Sequence, residues 1–223
     1  MLIILGALLL AVNYAVFYLL PPMEGLGYLS RIAVLHIPVA WVSVLGFAVS
    51  AFWALRYLRK NNRLYDIKSA VAATLGLGFC IAATVSGAIF ARLAWGSFWN
   101  WDPRQTSITI LLLTYYAYYG LRLAVEHEET KARVSAVYSV MAASTVPFLV
   151  FIMPRQQFSL HPSPVINQAG KIHMDIVFSI VLAGAICFCT LLFFYMSRLL
   201  VQKRIAGRKN AEQASPREEG VKI

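Results

Sequence analysis

The chain has 223 residues, of which 59% are hydrophobic and 13% charged, and its mean hydropathy is +0.65. A soluble domain carries roughly 45–50% apolar and about 25% charged residues, so an ordinary water-soluble globule is excluded. The net charge of +10 would suit a nucleic-acid binder, but the charges fall between long apolar blocks, the pattern of a membrane protein with basic loops on one side.

A hydrocarbon core about 30 Å thick takes about 20 predominantly apolar residues to cross. In chain order six blocks qualify: 2–20, 32–55, 70–91, 107–125, 134–153 and 176–197. Irregular backbone facing lipid would leave polar groups unpaired, so all six are expected as helices. The fold class is therefore an all-α integral membrane protein, a six-helix bundle over residues 1–208. The first block has no basic segment ahead of it, and Pro21, Pro22 and Met23 follow it in place of a small-residue cleavage site. It reads as a retained helix and not as a signal peptide. In the third block Ala83, Gly87 and Ala91 recur every four positions, which suits close helix–helix contact. Arg122 falls in the last turn of the fourth block, where its stem is expected to carry the charge to the headgroups. Residues 209–223 are polar and short of large apolar side chains, and are expected to form a disordered cytoplasmic tail.

Basic residues set the orientation. Fifteen of the 20 fall after the second, fourth and sixth blocks or, as Arg122 does, in the last turn of the fourth, leaving Arg31, Arg92, Arg104, Arg155 and Lys171 for the other side. The positive-inside rule then places both termini in the cytoplasm and turns loops 21–31, 92–106 and 154–175 outward. Cys80, Cys187 and Cys189 lie inside spans and form no CxxC pair, so they read as packing residues.

No Asp, Glu, Lys or Arg occupies the middle of a span, which disfavours a solute exporter built around midplane charges. Polar and aromatic chemistry gathers at the outward end instead: His36, His161, His173 and the run Trp95-Gly96-Ser97-Phe98-Trp99-Asn100-Trp101-Asp102. Tryptophans are interfacial anchors as a rule. Here three indoles fall within seven residues, beside a glycine that permits close backbone approach, and such a surface suits a large flat apolar ligand. Asp102-Pro103-Arg104-Gln105 also reads as the opening of the fourth helix: N-cap, proline at N1, Gln at N3. His36 lies two residues before Pro38, whose ring frees a carbonyl that this imidazole could satisfy. His161 sits in a proline-punctuated loop, and His173 opens the sixth helix with Met174 and Asp175. Two histidines on different elements of one face fit axial ligation of a haem iron, since the porphyrin fills the other four positions. The outward cations Arg31, Arg92, Arg104, Arg155 and Lys171 are the groups available to pair with the propionates or with lipid headgroups. Glu126-His127-Glu128-Glu129 is a charged loop on the opposite side and reads as a solvated run.

The segment Trp95-Gly96-Ser97-Phe98-Trp99-Asn100-Trp101-Asp102-Pro103-Arg104-Gln105-Thr106 resembles the tryptophan-rich WWD signature of the haem-handling proteins of cytochrome c maturation. Six spans, with the motif in the second outer loop and a histidine in each flanking outer region, resemble the CcmC type over about Arg31 to Ser197. Relatives of the CcmF and CcsA kinds carry additional spans. The resemblance implies haem ligation by His36 and His161, with His173 as the alternative second ligand, and a haem platform of Trp95, Trp99, Trp101 and Asp102, to which the reading of the loop adds Gly96 and Arg104 as cofactor-binding candidates. It further implies a non-enzymatic role in the inner membrane. Haem b, transiently bound at the periplasmic face, would pass to a membrane-anchored chaperone of the CcmE type. The partners implied are ABC transporter subunits of the CcmA and CcmB types, a small CcmD-type subunit and membrane lipids, with no nucleic acid. The competing reading is a b-type cytochrome subunit that transfers electrons.

Overall fold

A computed structural model describes residues 1–23, 26–161 and 175–214. Six helical rods make up the described chain: α1 (Leu2–Leu19), α2 (Ser30–Lys60), α3 (Arg63–Trp95), α4 (Pro103–Ala124), α5 (Glu128–Gln156) and α6 (Ile176–Ala214). All except α4 are long and apolar enough to cross a membrane, and the molecule is a multi-pass all-helical membrane protein. α4 has length enough, at 22 residues, but Thr, Gln and four tyrosines dilute its hydropathy. Each expected apolar block coincides with one rod to within a residue or two or lies inside it, and α2, α3, α5 and α6 overshoot their blocks. α2, at 31 residues, spans about 47 Å at the helical rise and so projects past the hydrocarbon layer.

Local chemistry explains the ends. Asn62 caps α3 by accepting from the Leu64 amide, and Gly96 closes it at φ +80°, a left-handed conformation that glycine adopts without strain. Pro103 at the first turn starts α4 after the Asp102 cap. Within α5 the stretch Phe148–Ile152, just past Pro147, winds as a π-helix. Past Lys209, where composition alone ends the ordered chain, α6 runs on to Ala214. Lys209-Asn210-Ala211-Glu212-Gln213-Ala214 contains mostly good helix formers, and the next proline is Pro216. Residues 215–223 of the expected tail, with His173 and Lys171, lie outside the described residues.

α2 and α3 form the closest pair. A Cβ on Gly46 would sit 2.7 Å from the Gly76 Cα, so only glycine permits this crossing. Nearby, Ser50 of α2, Ser69 of α3 and Ser139 of α5 are buried and joined, with Ser50 Oγ 2.9 Å from the Ser139 hydroxyl and donating to the Ser69 carbonyl at 2.9 Å. Above them lies a core of Phe47, Leu77, Cys80, Leu111, Tyr115 and Leu149, in which the Phe47 and Tyr115 rings stack at 3.5 Å between centroids. Arg122 does not reach outward. It forms a forked pair with Asp66 of α3, at 2.8 and 3.3 Å, and lies 3.4 Å from the Tyr118 hydroxyl. A buried carboxylate one helix away offers this guanidinium two directed bonds, which the span-by-span reading did not consider.

Candidate functional site

At the end of the bundle that carries the tryptophan loop, α2, α3, α4 and the π-helical stretch of α5 enclose a largely apolar cavity of about 290 Å³. His36, Trp99, Arg104 and His161 line it, together with Gln105 and Phe90. The two histidines that the sequence separates by more than a hundred positions therefore meet at one hollow.

Each ring is held through Nδ1. The His36 Nδ1 lies 3.0 Å from Ser86 Oγ on α3. The Ser86 hydroxyl also reaches the Ala82 and Ala83 carbonyls at 2.8 and 3.1 Å; with its proton on either of them its oxygen accepts from a His36 Nδ1–H, the tautomer that presents Nε2 as the bare nitrogen. Pro38 does not divert this ring to a freed backbone carbonyl. Space for the imidazole comes from Gly87, where a Cβ would stand 3.0 Å from His36 Cε1. Gly87 thus has a second use beyond the small-residue stripe.

His161 Nδ1 lies 2.9 Å from Asp102 Oδ1. A carboxylate only accepts, so this ring too carries its proton on Nδ1 and presents Nε2. Burial and the neighbouring Arg104 charge push the His161 pKa down to about 4 against the pull of Asp102, so the imidazole is neutral at physiological pH. The contact is a hydrogen bond and not an ion pair. The Trp95 ring packs edge-on against His161 at 4.9 Å, and Phe90 meets Trp95 at 5.5 Å.

Asp102 is 4% exposed and fully engaged. Its Oδ1 caps α4 through the Arg104 amide at 2.9 Å, and its Oδ2 accepts from Ser159 Oγ and the Leu160 amide, both at 2.8 Å. Burial acts to raise its pKa, but these bonds and His161 prevail and keep the carboxyl below the usual range. One side chain therefore starts a helix, ties down the segment after α5 and aims His161. Replacing Asp102 by alanine removes all three. The lost cap costs about 1 kcal/mol of stability. Loss of the outer-shell partner is expected to weaken metal binding through His161 by about 10–100-fold. Hemin titration of Asp102→Ala and wild type, followed at the Soret band, checks this.

The remaining loop residues divide. Trp99 faces the cavity, whereas Trp101 takes φ +55°, is 71% exposed and meets Trp99 edge-on at 6.0 Å. Gly96 ends α3, and its carbonyl accepts from Arg92. Gln105 does not close a capping box. It accepts from the Asn100 amide at 2.8 Å and donates to the Phe98 carbonyl at 3.3 Å, locking the loop from inside. Of the other cations, Arg155 lies near Arg104, and Arg31 stacks 4.5 Å over Tyr28. Sequence reasoning did not find Ser86, Ser159 or the loop-locking role of Gln105. A serine 50 positions from its histidine carries no periodic signal.

A family model described as Heme exporter protein C matches residues 1–215. A Heme exporter protein C from Bradyrhizobium diazoefficiens is 30% identical over 203 residues, covering 91% of this chain and 76% of that protein. A putative cytochrome c biosynthesis ccmC-like mitochondrial protein from Marchantia polymorpha is 29% identical over 174 residues, 78% of this chain and 73% of that protein. A Heme exporter protein C from Escherichia coli strain K12 is 28% identical over 126 residues, 56% of this chain and 51% of that protein.

Proposed function

We propose a function from one premise: this chain belongs to the Heme exporter protein C family, whose model it matches over residues 1–215. Its role lies in haem export for cytochrome c biogenesis. The chain holds haem b as a transient substrate at the periplasmic face of the inner membrane, with both termini cytoplasmic. It then hands the haem to a membrane-anchored chaperone, working beside ABC transporter subunits and a small accessory subunit. His36 and His161 bind the iron; Trp95, Trp99 and Trp101 face the macrocycle or its rim; Arg104, with Arg155 beside it, meets the propionates.

The observation that carries this reading is the matched pair of imidazoles. Both have Nδ1 within hydrogen-bond distance of a partner, Ser86 for one and Asp102 for the other, and both belong to one apolar cavity that also contains an arginine. Among the described residues no cluster of three or more His, Cys, Asp or Glu forms a metal cage. Two imidazoles suit a metal that brings four equatorial donors of its own. When bound, the haem supplies an iron with two open axial positions. The protein orients the imidazoles, excludes water with indole and phenyl rings, and balances the carboxylates with guanidinium charge.

The test is transfer. Detergent-purified protein loaded with hemin is expected to show a shifted Soret band and to lose it to an apo-haem acceptor added in excess. Haem that stays bound while cycling electrons with a quinol would overturn delivery in favour of a cytochrome subunit.

A further inference from the structure

Four helical walls surround the cavity, and they do not close equally. α2 approaches α3, α3 approaches α4 and α4 approaches the π-helical stretch Phe148–Ile152, each with Cα atoms within 8 Å. Between α2 and that stretch no Cα pair comes within 8 Å, although α2 packs closely on the earlier turns of α5. Packed helices hold their axes 8–10 Å apart, so this seam is bridged by side chains alone. No other described helix closes on the π-helical stretch from outside, since neither α1 nor α6 comes within the same distance of it.

A second, smaller hollow of about 140 Å³ occupies the seam. It shares His36, Ile37, Ala40 and Val150 with the main cavity, so the two adjoin across the His36 turn of α2. Its other wall is Trp41 and Phe151, whose rings meet at 6.0 Å, and Trp41 is 49% exposed. The opposite direction is shut. Directly beneath the cavity, Leu149 and Leu111 join the stacked Phe47 and Tyr115 in a closed core. A broad planar molecule cannot travel down the bundle axis without breaking that core, whereas the seam is spanned by side chains, with the Trp41 and Phe151 rings in contact across it. π-helical turns widen a helix locally and recur at functional positions.

We propose that the seam between α2 and the π-helical stretch of α5 is a lateral portal through which a porphyrin dissolved in the bilayer reaches His36, with Trp41 and Phe151 as its gate. This rests on the haem reading given above. The portal assigns the macrocycle an edge-on path: it slides between two apolar helices, meets the His36 Nε2 first and comes to rest against Trp99 and His161.

The test uses the full chain in lipid nanodiscs, with Cys80, Cys187 and Cys189 replaced by alanine and Trp41→Cys and Phe151→Cys introduced. Bridging the two thiols with a bis-maleimide is expected to slow haem uptake from hemin-loaded vesicles by about tenfold or more, as pinning a gating element does. The final Soret band should match that of the unbridged protein. Independently, Trp41→Ala with Phe151→Ala is expected to speed uptake severalfold with the same final spectrum. Uptake at the unbridged rate after cross-linking, or no acceleration in the alanine pair, would overturn the portal; a seam that serves as a seat for a partner helix would give that result. Failure of the haem reading looks different, because the unmodified protein would then develop no shifted Soret band at all.

Discussion

Replacing either His36 or His161 by alanine is expected to lower hemin affinity by more than about 100-fold, beyond the upper end of what loss of an outer-shell partner costs. The two variants should differ in kind from wild type and not merely in amount. With one imidazole gone, the iron keeps five donors, so the absorption spectrum should change from that of a six-coordinate to that of a five-coordinate iron. Imidazole added to the buffer should restore much of the original band. Neither substitution dismantles its surroundings. Ser86 keeps its bond to the Ala82 carbonyl, and Asp102 keeps the Arg104 and Leu160 amides and the Ser159 hydroxyl. Both proteins should therefore insert and fold, and the spectrum should report ligation alone. An unchanged spectrum and haem content in both variants would remove these residues from the site, and His173 would then be the next ligand to test.

The second large effect concerns stability and lies at the other end of the bundle. Asp66→Ala is expected to cost about 3–5 kcal/mol, the usual penalty for breaking a buried ion pair from one side. The side chains of Asp66 and Arg122 are only 9% and 18% exposed, so solvent compensates little for the guanidinium left behind. Its remaining neighbour is the Tyr118 hydroxyl at 3.4 Å, a poor substitute. Removing both charges together, as Asp66→Leu with Arg122→Met, should recover most of the loss, because the desolvation of two ions disappears with their attraction. Unfolding in mixed detergent micelles measures both variants. A single substitution as mild as the double one would mean that the pair is already solvated.

The apolar blocks were enough to foresee the helices, since crossing hydrocarbon imposes both length and composition. The Asp102-Pro103 start of α4 was equally readable, because capping is chemistry between near neighbours. What could not be read is the contact that joins distant positions. Ser86 looks like any helix serine until α2 brings His36 against it. Asp102 reads as a cap, and only the return of the chain after α5 shows that the same carboxylate aims His161. Arg122 was sent towards the headgroups because Asp66 lies 56 positions away, and no periodicity links them. The tryptophans fall between these cases. Their density announced a surface, but which ring faces inward depends on φ at Trp101, a backbone choice that side-chain counting cannot anticipate.

The stacked Phe47 and Tyr115 rings, with Leu111 and Leu77 packed around them, fill the axis of the bundle below the cavity. Among the described residues, this packed core separates the chamber from the opposite end of the bundle. A carrier that admitted its cargo from the side, as proposed, would turn over without short-circuiting the voltage and proton gradient on which the cell's energy supply depends.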